Sequence, residues 1–300
     1  MTPPHDAPSR SGCGDDRPVI AVACFGGTQP CREFEQAAAS LGIELLSFAP
    51  DCSQPIESAL ATIVARRAVV TVPYGCDERD LDVLLHHPEV TVRPGLAIIR
   101  LSHDPLAARY FLHDLGYDVA VFEEVDSGDT WALTRFSRQH GWPVRLSSPR
   151  WAGTGRTVRL VRPYTELEQI WDTDGNLWLM EACEPLAPQL SVVLTRRPSG
   201  DQQTCSVTVT TQEDFLPRRR LQLPGSVARQ AVRVAGAVAD ELDAVGLLTV
   251  KFLHTRDGRL LIDDLAYGAS AAVPLGMSEP TSLVTAHLRA VADLPPLLTE

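Results

Sequence analysis

Residues 18–25 form a short apolar run that stops at Gly26 and Gly27, and helical composition follows at residues 33–41. A run that is apolar on both faces suits a strand buried inside a parallel sheet. A glycine pair lets the backbone turn sharply into the next element. The helix ends at Gly42, a good C′ residue, and residues 43–48 predict a second strand. Strand, glycine turn, helix, strand opens a doubly wound α/β sheet. The alternation continues with a helix at 59–67, a strand at 68–72, a helix at 77–86 and a strand at 90–92.

The pattern then changes. Residues 97–115 read as helical, with Asp104 and Pro105 suited to N-cap and N1 and Gly116 ending the stretch. Residues 131–140 predict another helix, ended by Gly141. Residues 144–146 and 158–161 predict strands flanking a small loop, 147–157, and further strands fall at 177–181 and 190–195. Residues 227–245 carry Val, Ala and Leu at helical spacing. A hairpin follows, 247–254 and 259–267, around Asp257-Gly258 read as a two-residue turn. That turn pairs Arg256 with Arg259, and counting back sets Lys251 opposite Asp264, with Asp263 on the alternate face.

Lys251 is the one lysine in the chain, against 26 arginines. It lies in an apolar strand, whereas lysines ordinarily go to the surface. The formal net charge of −11 argues against non-specific binding to nucleic acid or to an anionic membrane. Arg218-Arg219-Arg220 reads as a solvated turn or a local phosphate contact. No apolar run reaches the roughly 18 residues that span a bilayer. Residues 1–17 are polar, without an apolar segment, and read as a disordered tail rather than a signal peptide. Seven scattered cysteines without a C-x-x-C pair suit reduced thiols in a cytoplasm and no structural zinc. Cys76 with His86 and His87 lacks metal-ligand spacing.

Three constellations could carry chemistry. Gly26, Gly27 and Gln29 follow the first strand, where backbone N–H groups can meet an anion; a bare tight turn is the alternative. The loop with Gly153, Gly155, Arg150 and Arg156 could fold over phosphates or be a flexible hairpin, and it has no P-loop lysine. Lys251 against Asp264, with Asp263 adjacent, is either a structural ion pair or a lysine of lowered pKa acting as base or substrate anchor. Adjacent carboxylates can hold Mg²⁺, whereas a lysine across the ladder occupies the charge space such a cation would want.

The order of these features resembles the ATP-grasp superfamily: the glycine turn, Val92-Arg93-Pro94, the Asp104–Gly116 stretch, Gly141-Trp142-Pro143-Val144, Met180–Val192, and 246–252 followed by 263–266. Within it the chain is most similar to the carboxyaminoimidazole ribonucleotide synthases, ATP-dependent carboxylases of purine biosynthesis. The resemblance covers about residues 18–295. It implies a Rossmann-like N-terminal domain at 18–95 and an ATP-grasp domain at 96–300, with a small lobe about 120–182 and a large lobe about 183–295. It also implies ATP and Mg²⁺ as cofactors, a small-molecule substrate and a possible homodimer.

Carried over residue by residue, the resemblance gives nucleotide-side roles to Arg109, Gly153, Gly155, Arg156, Glu181 and Glu184. From the residues themselves, substrate-side roles are expected at Gly26, Gly27 and Gln29, metal-side roles at Asp263 and Asp264, and catalytic roles at Lys251 and Asp264. Departures accompany the matches. Arg109 replaces a phosphate-binding lysine, and Ser147 replaces a second, losing that charge. Gln189 stands for the ribose-side glutamate, Ala182 for an adenine-side glutamate and Lys251 for one of two acidic metal ligands. Pro73-Tyr74-Gly75 and residues 267–271 replace two substrate-side motifs, and a small C-terminal domain is expected to be missing.

Two readings follow. One is a ligase of altered specificity that joins a carboxylate or bicarbonate to an amine through an acyl phosphate. The other is a descendant without ligase activity, a regulatory pseudoenzyme or an enzyme independent of ATP. A nicotinamide-dependent oxidoreductase is disfavoured, because the dinucleotide fingerprint is incomplete.

Overall fold

The computed structural model describes residues 19–23, 29–48, 56–71, 78–152, 155–163, 177–183, 188–211, 224–268 and 280–296. Gly26, Gly27, Gly153, Glu184, Pro73-Tyr74-Gly75, residues 269–271, Cys76, Arg218-Arg219-Arg220 and the tail lie outside these.

The first lobe has the expected alternation. β1 (Val19–Ala23) leads to α1 (Gln29–Leu41), β2 (Glu44–Phe48), α2 (Ile56–Arg66), β3 (Val69–Thr71) and α3 (Glu78–Leu85). The strands are parallel in the order β2-β1-β3, as right-handed crossovers through helices produce. The strand expected at 90–92 is reduced to one bridge, Val70 to Val92. Arg93 N–H still donates to the Val70 carbonyl at 2.8 Å, but Pro94 has no N–H with which to extend the ladder.

The 97–115 stretch is two helices, α4 (Leu96–His103) and α5 (Pro105–Asp114). Asp104 divides them: its carboxylate accepts from Ala107 N–H at 2.9 Å, with Pro105 in the first turn. Next come β4 (Phe122–Asp126), α6 (Thr130–His140), β5 (Val144–Ala152), β6 (Gly155–Val161) and β7 (Leu177–Ala182). These strands form an antiparallel sheet, β4-β7-β5-β6. Leu133 and Phe136 of α6 pack against its Val144, Leu146, Val161, Trp178 and Met180. The expected loop at 147–157 is mostly hairpin. β5 and β6 continue through it with a register shift between Ser147 and Trp151, around Pro149, which cannot donate to a ladder.

The third sheet, β11-β10-β8-β9, is also antiparallel. It contains β8 (Pro188–Arg196), β9 (Gln202–Thr211), β10 (Gly246–His254) and β11 (Leu260–Tyr267). The intervening helix α7 (Gly225–Glu241) buries Ala231, Ala235, Val238 and Ala239, small residues at helical spacing that let it lie close to the sheet. They join Leu248, Val250 and Phe252 in the largest core, which extends through α4 into the first lobe. β4 and β9 were not expected. Both are edge strands whose polar composition weakens the apolar signal.

α8 (Pro280–Val291) ties the parallel sheet to the third sheet. Its His287 is fully buried; Nδ1 accepts from Leu247 N–H at 3.0 Å. The neutral ring therefore carries its proton on Nε2 and donates it to Thr71 Oγ1 of β3 at 2.7 Å. Gly246 beside it has φ +107°, and a Cβ there would lie 2.8 Å from His287 Cε1, so both backbone conformation and space require glycine. Burial lowers the His287 pKa to about 4, from 6.5 in the unfolded chain. Between those values the unfolded chain takes up a proton that the folded chain does not. Stability therefore falls as pH drops through that window, by about 3 kcal/mol in total. Urea unfolding at pH 7 and near pH 4.5 should show a steep loss for the wild type and a shallower loss for His287→Gln. Equal losses would refute the assignment.

Candidate functional site

The face of the third sheet that carries Lys251 meets α5 and the second sheet at a charged junction. Arg109 comes from the middle of α5, Arg145 from β5, Glu181 from β7, Gln189 from β8, Lys251 from β10, and Asp263 and Asp264 from β11. Arg145 and Glu181 are register partners across β5 and β7, so their side chains leave the same face.

The hairpin shows how two adjacent aspartates reach one side of the sheet. Its turn is not the expected two-residue one. Thr255 N–H donates to the Arg259 carbonyl at 2.9 Å, leaving Arg256-Asp257-Gly258 as a three-residue loop, with Gly258 at φ +87°. That is the hairpin form in which glycine takes the left-handed position. His254 consequently pairs with Leu260, one residue off the expected register. The offset is undone further along, where Phe252 pairs with Ile262 but Lys251 pairs with Asp264. Asp263 is the extra residue of this bulge. Lys251 thus does oppose Asp264, through two deviations that cancel.

The bulge also corrects the expected orientation of Asp263. In a regular strand it would point away from Asp264. Instead its Oδ2 accepts from Gln189 Nε2 at 3.2 Å. Gln189 lies two residues from Ser191, the register partner of Lys251 on β8, so it shares the Lys251 face. Both aspartates therefore share one face of the charged junction.

The charges are paired throughout. Arg109 Nε donates to Glu181 Oε1 at 2.5 Å, and its Nη2 donates to the Asp263 carbonyl. Arg145 contacts Glu181 Oε2 through Nε at 2.9 Å and Nη2 at 2.8 Å. The same Nη2 lies 2.6 Å from Asp263 Oδ1, an ion contact rather than an aligned hydrogen bond. Burial would push the Asp263 carboxyl up, but Arg145 and Arg109 more than offset it and hold it below the usual carboxylate range. Burial likewise opposes the charge on Arg145, yet Asp263 and Glu181 raise its pKa above the ordinary value. Lys251 Nζ is 2.8 Å from Asp264 Oδ2, with the two side chains 25% and 22% exposed.

Arg145 is the residue the sequence reading missed. A cation was expected to be lost at Ser147, which is buried. Arg145 stands two positions earlier on the same face of β5 and supplies a guanidinium. Strand alternation from Ser147 was the available signal. Of the other expected site residues, Gln29 opens α1, while Gly155 and Arg156 pair in β6 with Ala152 and Trp151. Ala182 ends β7.

Mg²⁺, the ion that the resemblance implies, demands near-octahedral oxygen ligands carrying free lone pairs and negative charge. Glu181, Asp263 and Asp264 already face Arg109, Arg145 and Lys251, three carboxylates against three cations. As they stand, these residues do not fit the ion. Among the described residues no group of three or more His, Cys, Asp or Glu is placed to hold a metal, and no helix is long and apolar enough to cross a membrane.

Comparison with known proteins now adds to this geometry. The ATP-grasp domain family matches residues 110–268. N5-carboxyaminoimidazole ribonucleotide synthase of Mycobacterium tuberculosis (strain H37Rv) is 28% identical over 296 residues, spanning 91% of this chain and 68% of the relative. The same enzyme of Synechocystis sp. (strain PCC 6803) is 25% identical over 275 residues, spanning 83% and 69%. Among solved structures, an ADP complex of N5-carboxyaminoimidazole ribonucleotide synthetase superposes with a TM-score of 0.77 at 20% identity, covering 93% of this chain and 78% of that one. The Aspergillus clavatus enzyme with ADP and 5-aminoimidazole ribonucleotide gives 0.71 at 20% identity, with coverage of 93% and 78%. The structural likeness establishes the fold.

The pairing pattern sets an order of stabilities. Removing Arg145 leaves two nearly buried carboxylates undercompensated. Arg145→Met should therefore cost about 3–5 kcal/mol. Lys251→Met breaks a partly solvated pair and should cost at most about 1 kcal/mol. Urea unfolding midpoints measure both; equal losses would contradict the burial argument.

Proposed function

Because this chain belongs to the ATP-grasp family, we propose that it is a ligase-type protein related to N5-carboxyaminoimidazole ribonucleotide synthase. The charged junction between the second and third sheets would serve as the cleft that binds a nucleoside polyphosphate and joins a carboxylate or bicarbonate to an amine on a small molecule other than the relatives' substrate. In such a reaction a carboxylate oxygen attacks the γ-phosphorus and the bond to the β-phosphate oxygen breaks, releasing ADP. The amine nitrogen then attacks the acyl carbon, phosphate departs, and the nitrogen loses a proton to water.

The observation that carries this reading is the convergence of Arg109, Arg145, Glu181, Gln189, Lys251, Asp263 and Asp264 from one helix and two sheets into one charged cluster. Fixed positive charge in a partly enclosed site stabilises the charge that develops on transferring phosphoryl oxygens. Lys251, a quarter exposed, is the cation in this group best placed to meet a ligand. Altered specificity is supported by the sequence at Pro73-Tyr74-Gly75 and residues 267–271, which stand where the resemblance expects two substrate-side motifs.

A second reading has one observation in its favour. The complete pairing of three carboxylates with three cations also suits a protein that binds nucleotide without turning it over. The readings separate experimentally. ADP and ATP should each raise the melting temperature at millimolar concentration, since a ligand bound at a hundred times its Kd adds about 2.7 kcal/mol. A ligase should then release phosphate from ATP only when a panel of amines and carboxylates includes its substrate. Stabilisation with no phosphate release across the panel would favour the second reading, and no stabilisation by either nucleotide would sink both.

A further inference from the structure

The cleft's charge balance bears on what accompanies its ligand. We propose that the protein's own side chains, Lys251 foremost, take the place of a divalent cation here, so that the cleft binds a phosphate-bearing ligand without metal. The inference rests on the nucleotide-binding reading above and adds the charge state in which the ligand arrives.

Three features on the cleft face carry it. First, each carboxylate is committed: Glu181 to Arg109 and Arg145, Asp263 to Arg145 and Gln189, Asp264 to Lys251. A divalent ion would have to displace these partners and then sit beside the cations it displaced. Second, two of the cations cannot yield. A guanidinium does not give up its proton in a protein, and the side chains of Arg109 and Arg145 are only 4% and 16% exposed, so neither can swing away into solvent. Third, Lys251 can move. It is a flexible ammonium with three donors, its pair is partly solvated, and Asp264 can be hydrated when Lys251 turns towards a phosphate oxygen. The geometry thus keeps a mobile cation where a metal ion would otherwise neutralise phosphate.

The placement of Lys251 is not incidental to the strand. It is the only incompletely buried residue in β10 before His254, and the bulge beside it restores the register that puts Asp264 opposite. Exchange of this one side chain for a carboxylate would reverse the local charge balance and leave two acidic groups facing each other across the ladder.

Two measurements on the full chain test the proposal. Calorimetric titration with ADP should give Kd values within about threefold of each other in excess Mg²⁺ and in EDTA. Lys251→Gln should weaken metal-free ADP binding by about tenfold or more. Separately, with no nucleotide present, Mn²⁺ titration followed by electron paramagnetic resonance should find no stoichiometric site in the wild type. The same titration should find one in Lys251→Glu that is lost again in the Lys251→Glu, Asp264→Asn double variant. ADP binding that requires Mg²⁺, or a wild-type Mn²⁺ site abolished by Asp264→Asn, overturns the proposal. Failure of ADP to bind under either condition overturns the nucleotide reading, and the proposal as a statement about nucleotides with it. The Mn²⁺ titration still decides by itself whether Lys251 excludes a metal from the cleft.

Discussion

A largely buried knot of two guanidiniums and two carboxylates joins α5 to the second and third sheets. Arg109, Arg145, Glu181 and Asp263 come from one helix and two separate sheets, and none could be buried alone. An isolated ion loses its hydration and regains that free energy only from close, correctly oriented partners. Each partner therefore fixes the position of the others, and through them the position of the elements they stand on. The planar fork of arginine suits this work, because one guanidinium can face two carboxylates at once. Arg145 does so towards Glu181 and Asp263.

The surroundings of that knot give a common logic to the departures that the resemblance implies. Where it expects a lysine, Arg109 keeps a positive charge, and where it expects a glutamate, Gln189 offers a donor. Lys251 then places an ammonium where the resemblance expects an acid. Taken singly, each looks like a loss. Together they leave a face on which three cations balance three carboxylates. The relatives named as N5-carboxyaminoimidazole ribonucleotide synthases share the overall fold; the charge arrangement is a property of this chain's own residues.

Backbone irregularity contributes as much as side-chain chemistry. A three-residue hairpin loop shifts the ladder by one position, and a bulge at Asp263 shifts it back. Counting from a two-residue turn reaches the right partner for Lys251 because the two shifts are equal and opposite. It cannot reveal that Asp263 turns onto the same face as Asp264. Period-two alternation assigns adjacent residues to opposite faces, and only a bulge breaks that rule.

The chain's own pattern determined the order of most elements, the parallel opening sheet, the N-cap at Asp104 and the hairpin that carries Lys251 and Asp264. These depend on local signals: apolar periodicity, caps, glycine stops and a hairpin between two strong strands. That Lys251 and Asp264 pair was decided by the bulge. Edge strands β4 and β9 escaped, since a strand half exposed to water need not be apolar. The role of Arg145 escaped for a different reason. Among 26 arginines, nothing local distinguishes the one that will be buried against Glu181 and Asp263, residues 36 and 118 positions away. Only the folded arrangement of sheets decides that, because the free energy that makes burial of a charge tolerable comes from partners distant in sequence.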